Sequence, residues 1–193
     1  MSWGASGNGS QLGRVFNGQA DPNAVDIGLT GVTQGQAGFD YSCVVAAGVV
    51  NCWGNNQQGQ LGRGMAGGGI VKAGPISLMN KTATQVAVGG SGFGQAHACA
   101  VMTDGSVFCW GANPNGAVGG TSDSGMAPQT VATPTQIDLG MGKALGVACG
   151  DSFSCALMEG GTVQCWGSNT EGTLGLGATD TNAHPKPVGI VKF

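Results

Sequence analysis

The sequence predicts an all-β chain built as β-propeller blades of four-stranded antiparallel sheets, with about three complete repeats and a partial one at the N-terminus. Three observations predict it. Trp-Gly pairs begin at Trp3, Trp53, Trp110 and Trp166, 50, 57 and 56 residues apart. Each is followed by a similar glycine-rich tail: "WGASGNGSQLG", "WGNNQQGQLG", "WGANPNGAVG" and "WGSNTEGTLG". Three of the four pairs are preceded by two cysteines at nearly constant spacing. A period above 50 residues holding several short apolar segments matches a propeller blade rather than a solenoid coil.

Each repeat follows the same order. A small-residue apolar stretch comes first, as in "QVAVGG" and "LGVACG". The cysteine segment follows, then Trp-Gly, then the tail. A proline-containing segment closes the repeat on an apolar run: "PISLM", "PTQIDL" or "PKPVGIV". No segment keeps the 3.6-residue apolar period of a helix over a useful length. The whole chain, 1–193, reads as one repeat domain, with hairpins near 32–54, 86–111 and 145–167 and a partial repeat over 1–30.

The cysteines set the strand register. In an antiparallel hairpin, facing residues lie equally far from the turn. Cys99 and Cys109 then leave Thr103-Asp104-Gly105 as a three-residue loop, and Cys155 and Cys165 leave Glu159-Gly160-Gly161. Both end in glycine, which supplies the left-handed backbone such loops need. Cys43 and Cys52 are one residue closer and center on Ala47-Gly48, a two-residue turn. The cysteines stay opposed although the turn length changes. Opposed residues have Cα atoms roughly 4.5 Å apart, within disulfide range. The expected bonds are Cys43–Cys52, Cys99–Cys109 and Cys155–Cys165, each contributing about 2.5–3 kcal/mol in the chain-entropy model. Cys149 is left over and reads as a buried structural thiol. In each hairpin the tryptophan alternates to the face opposite the cysteine, so Trp3, Trp53, Trp110 and Trp166 are expected in the blade cores. The glycine after each tryptophan is expected to permit a bend into the tail.

Composition narrows the function. Glycine supplies 39 of 193 residues, and only 9% are charged, a pattern unlike charge-rich disordered chains. Net charge is −3 with scattered lysines and arginines, which gives little support for nucleic-acid binding. No apolar run approaches the ~18 residues of a membrane helix. The start, "MSWGASGNGS", shows neither the basic nor the apolar region of a signal peptide. Paired cysteines nevertheless point to an oxidising setting: extracellular, periplasmic or a virion surface. Tripeptides Asn8-Gly9-Ser10 and Asn80-Lys81-Thr82 match a glycosylation sequon.

Catalytic patterns are sparse. Gly150-Asp151-Ser152 has an esterase-like look, but it sits inside the repeat, and the two histidines are His97 in a strand slot and His184 in "NAHPKP". A serine nucleophile needs a positioned base. "GGSGFG" at 89–94 lacks the lysine of a phosphate loop. Asp104 and Glu159 are turn residues. Zinc sites want Cys or His at two-to-four-residue spacing, converging in fours, and these cysteines are spread over separate repeats. No enzyme activity, cofactor or metal is expected.

The segments "VACGDSFSCALM" (147–158) and "HACAVMTDGSVFCWGANPNGAVGG" (97–120) resemble the regulator-of-chromosome-condensation repeat. The likeness spans essentially the whole chain. It departs where the family's histidine, present as His97, is Tyr41 and Phe153 in the other repeats, and where "GGSGFGQAH" carries extra residues. The cysteine pairs resemble secreted bacterial members. The resemblance implies a propeller, commonly of seven blades, and a role in binding: nucleotide exchange on a small GTPase, chromatin docking, β-lactamase inhibition or ultraviolet sensing. None of these special roles carries over residue by residue.

Three repeats and a tail are fewer than the four or more blades a closed propeller needs. Open blade ends expose apolar faces. The expected partners are therefore proteins, other copies of the chain foremost, with a glycan as another ligand for the loops. The alternatives are a structural subunit of an extracellular filament or virion surface, and a fragment of a longer secreted propeller. Segments 122–136 and 64–74 are the expected variable loops.

Overall fold

The computed structural model describes residues 1–5, 11–14, 16–68, 71–91, 94–120 and 129–192. Among them are fourteen strands and no helix. Strands β1 (Ser2–Ala5) and β2 (Ala20–Val25) form a two-stranded sheet. Unit 1 contains β3 (Val32–Ala37), β4 (Tyr41–Ala46), β5 (Val49–Gly54) and β6 (Val71–Pro75). Unit 2 contains β7 (Ala83–Gly89), β8 (His97–Met102), β9 (Val107–Ala112) and β10 (Thr130–Gln136). Unit 3 contains β11 (Ala144–Cys149), β12 (Phe153–Met158), β13 (Thr162–Ser168) and β14 (Ala183–Lys192). Each unit is a four-stranded antiparallel meander in sequence order. The N-terminal pair is the outer half of such a unit, since β1 carries the Trp-Gly of the third strand.

The turns follow from residue type. Ala46 pairs with Val49, and both residues between them have positive φ, Ala47 at 49° and Gly48 at 78°. That is a type I′ turn, whose backbone twist suits two-residue hairpins. The other two loops place Gly105 at φ 82° and Gly161 at 78°. Pairings Cys43↔Cys52, Cys99↔Cys109 and Cys155↔Cys165 stand in register, and disulfides join them with Cα atoms 4.2, 4.0 and 4.0 Å apart.

The core lies between the sheets. One cluster joins Tyr41, Cys43, Val45, Val50 and Cys52 of unit 1 to Val86, Ala98, Met102, Phe108 and Trp110 of unit 2. The second joins Cys99, Val101, Val107 and Cys109 of unit 2 to Val147, Ala156, Met158 and Trp166 of unit 3. Each disulfide face therefore meets the tryptophan face of the following sheet. Trp110 and Trp166 are fully buried and Trp53 nearly so. Trp3 departs from the expected core position: it is 63% exposed. The other three indoles lie on the tail of the repeat before them.

The glycine after each tryptophan does more than permit a bend. Gly54, Gly111 and Gly167 have φ of 112°, 112° and 115°. A side-chain carbon on them would lie 2.5 Å from the carbonyl oxygen of Asp40, Ala96 or Ser152 respectively. Those same carbonyls accept hydrogen bonds from the next residue's amide, Asn55, Ala112 and Ser168, at 3.0, 2.8 and 2.9 Å. Any side chain there meets both a steric wall and a strained backbone.

Ala47 is exposed and holds a left-handed conformation that asparagine tolerates better. Ala47→Asn should raise unfolding free energy by about 0.5–1 kcal/mol, read from denaturant midpoints at unchanged slope.

Candidate functional site

After three of the four Trp-Gly pairs, the second residue along is an asparagine that folds the tail into a loop. Asn56, Asn113 and Asn169 are buried. Their Oδ1 atoms accept the amides of Leu61, Val118 and Leu174 at 3.1, 2.8 and 3.3 Å. Their Nδ2 groups donate to carbonyls farther along: Met65, Gly119 and Ala178 at 2.8, 3.0 and 2.9 Å. The same side chain thus satisfies donors and acceptors that a buried loop would otherwise leave unpaired. The repeated Trp-Gly-x-Asn spacing carries this signal in the sequence; it is broken only at the first Trp-Gly, where the fourth residue is Ser6.

The ordered tail then presents one carbonyl to the next sheet. Trp53 Nε1 donates to Gln11 O at 2.9 Å, Trp110 Nε1 to Gln60 O at 2.9 Å, and Trp166 Nε1 to Ala117 O at 2.8 Å. Each indole therefore hooks its own unit onto the preceding tail.

On the inner strands, glutamines do the corresponding work. Gln34 donates to Val86 O at 3.0 Å and accepts Val86 N at 2.9 Å. Gln85 makes the same pair with Val147, at 3.2 and 2.9 Å. Strands β7 and β11 are edge strands of their sheets, and an edge otherwise displays unpaired backbone groups. One primary amide has the donor and the acceptor to satisfy both. Unit 3 carries Gly146 at the matching position.

A third lock occupies the position where the repeats vary. Tyr41 Oη, buried in unit 1, receives Gly89 N at 3.2 Å and faces the carbonyls of Gly89, at 3.0 Å, and His97. Burial pushes its phenol pKa well above the usual value, so it stays a neutral donor. His97 takes this place in unit 2. Its Nδ1 faces Gln95 O at 3.0 Å and must carry the proton, which leaves Nε2 unprotonated 3.1 Å from Ser154 Oγ, whose single proton also has Ala117 O at 2.9 Å as a partner. Burial depresses the His97 pKa.

Sequence candidates for chemistry fall out differently. His97 meets Ser154 of unit 3, not Ser152, and both partners are fully buried, so no substrate reaches the pair. Ser152 donates instead to Gln95 Oε1, and Asp151 accepts Ser91 N. His184 Nε2 lies 3.0 Å from Asp180 Oδ1 on the outer edge of unit 3. Asp104 holds its turn through Ser106 and pairs with Lys81, which lowers its carboxyl pKa. Among the described residues no group of three metal-ligating side chains converges. Asn8, Gly9 and Ser10 lie outside the described residues, as do 122–128 of one expected loop, 69–70 of the other, and 92–93 of "GGSGFG".

Two open clefts flank the segment Gln136–Gly140 at the end of β10. One cleft of about 410 Å³ lies toward Lys81, Asp104 and Ser106. Another of about 420 Å³ lies toward Gln164, Pro185 and Lys186. Both share Gln136–Gly140 as a wall.

Repeated four-stranded units coupled face to face define a β-propeller repeat protein. Two models described as regulator of chromosome condensation (RCC1) repeat match it, one over residues 83–117 and 146–173, the other over 104–157. The chain belongs to the RCC1-like repeat family. It is 29% identical to the mouse (Mus musculus) E3 ubiquitin-protein ligase HERC2 over 96% of its own length and 4% of that protein. It is 32% identical to the Arabidopsis thaliana ultraviolet-B receptor UVR8, over 79% of this chain and 33% of that one. The fold matches Prp20p from Saccharomyces cerevisiae with a TM-score of 0.76 at 22% identity, covering 99% of this chain and 45% of Prp20p. The chain thus spans less than half of each of these relatives.

The buried imidazole has a consequence for pH. Its folded pKa lies below the unfolded value near 6.5, so the stability it contributes is complete above that value and is lost as pH falls through it. Thermal unfolding of the native chain should shift downward between pH 7 and 5. His97→Phe, which copies Phe153 of unit 3, should flatten that slope; equal slopes in both proteins would contradict the assignment.

Proposed function

We propose that the chain is a non-catalytic module that binds a protein through the clefts beside Gln136–Gly140. The observation that carries this reading is where the polar side chains go. The tail asparagines, the bridging glutamines, Tyr41 and His97 are all engaged in bonds within or between sheets. What faces solvent with relief is a wall between two sheets, flanked by Lys81, Asp104, Asp138 and Lys186. Binding of Gsp1p and histones is described for Prp20p, and surfaces built on a rigid repeat scaffold suit such work. Three disulfides fit action in an oxidising compartment, extracellular or periplasmic.

Self-association is the second reading, favoured by one face of unit 3. Leu157 is 43% exposed and Leu145 61% exposed, whereas Val45 and Val101, the counterparts of Leu157, are buried by the next sheet. An uncovered apolar face of this kind draws a protein surface onto it.

Affinity capture with the native chain and an Asp138→Lys/Lys186→Glu variant tests the first reading. A discrete protein should be retained by the native chain and lost by the variant at unchanged melting temperature. Equal retention by both, or none by either, would overturn it. Light scattering of the native chain and Leu157→Lys tests the second: a mass above the monomer should fall to the monomer in the variant.

A further inference from the structure

A free thiol, a disulfide sulfur and one hydroxyl meet across the boundary of units 2 and 3. Ser154 Oγ lies 3.5 Å from Cys99 Sγ and 3.8 Å from Cys149 Sγ. Cys99 is half of the unit 2 disulfide, and Cys149 is the free thiol of unit 3. The thiol also sits 3.7 Å from Ala87 O, and Ala87 is the residue paired with Cys99 across β7 and β8. Cys149 therefore lies over the β7–β8 pair, beside the half of the disulfide that β8 carries. Its counterparts in the other inner strands are Ala37 and Val88, so this arrangement occurs at one boundary only among the described residues.

We propose that Cys149 exchanges with the Cys99–Cys109 disulfide, converting a staple within unit 2 into a covalent bridge between units 2 and 3. The step is an isomerisation and balances without an added oxidant. Cys149 gives up its proton, and the thiolate attacks Cys99 Sγ. The Cys99–Cys109 bond breaks as Cys99–Cys149 forms. Cys109 leaves with the electron pair as a thiolate and takes up a proton. The number of disulfides and free thiols is unchanged. The released thiol stays in the apolar cluster with Val107, Val118 and Ile137.

Burial pushes the Cys149 thiol up to about 12, and the thiolate is the attacking species. The closed molecule thus holds the exchange back, and parting of β11 from β7 and β8 releases it. The product would tie β8 to β11, so that the boundary that opened is the one that becomes cross-linked.

Two measurements decide the matter. The Cys109→Ser variant leaves Cys99 with Cys149 as its one near partner. Refolded under air and denatured for thiol counting, it should show no free thiol; two free thiols would overturn the proposal. In the native protein, held at pH 8.5 with a trace of reduced glutathione and then acid-quenched, peptide mapping should find a Cys99–Cys149 bond and free Cys109. The Cys149→Ser protein, treated alike, should keep Cys99–Cys109 alone. Recovery of Cys149 only as a free thiol in the native protein would refute the exchange even if the Cys109→Ser variant failed to fold.

Discussion

A single indole hydrogen bond, repeated at each boundary, makes these sheets a stack. Trp53, Trp110 and Trp166 each reach back to a carbonyl of the preceding tail. The bond works because a buried asparagine has already fixed that tail. Removing the donor would strand a buried carbonyl at a cost of about 1–3 kcal/mol. The ring itself also fills the space between sheets, where Phe108 and Trp110 close one core and Trp166 closes the other. Local folding and stacking are therefore coupled through the same residues: the asparagine shapes the loop, the loop offers the carbonyl, and the indole joins the units.

Much of this architecture can be read from residue order. Cysteine spacing identifies the hairpins and their register, because opposed cysteines must stay equidistant from the turn whatever its length. The Trp-Gly period reveals the repeat. Other features were hidden for physical reasons. Trp3 shares the motif of the buried tryptophans, yet its burial depends on a preceding tail, which is a property of neighbours and not of local sequence. The glycine after tryptophan suggests a bend, whereas its further constraint is a carbonyl 2.5 Å from where a side chain would begin. Gln34 and Gln85 look like ordinary polar strand residues. Their role appears only once two inner strands are set side by side and the unpaired edge of the second comes into view.

The position filled by Tyr41, His97 and Phe153 shows how one repeat slot can be tuned. The phenol and the imidazole both bridge to the next sheet, but burial raises the pKa of the phenol and lowers that of the imidazole. The phenyl ring brings no hydrogen bond, and Gly146 in the same unit brings no glutamine. Unit 3 thus presents a following face with neither polar lock, and with Leu145 and Leu157 exposed on it. The boundary between units 2 and 3 is also where His97, Ser154, Cys149 and the Cys99–Cys109 bond gather, which makes it the chemically richest joint in the stack.

The coupling is tested most directly by native-state hydrogen exchange in Trp110→Phe, a change that keeps an aromatic ring and removes the Nε1 donor. The account predicts faster exchange on both sides of the joint, in the Asn56–Gly62 tail of unit 1 and in β8 and β9 of unit 2, rising together. Faster exchange confined to β9, with the tail as protected as in the native chain, would show that the sheets hold together without the hook.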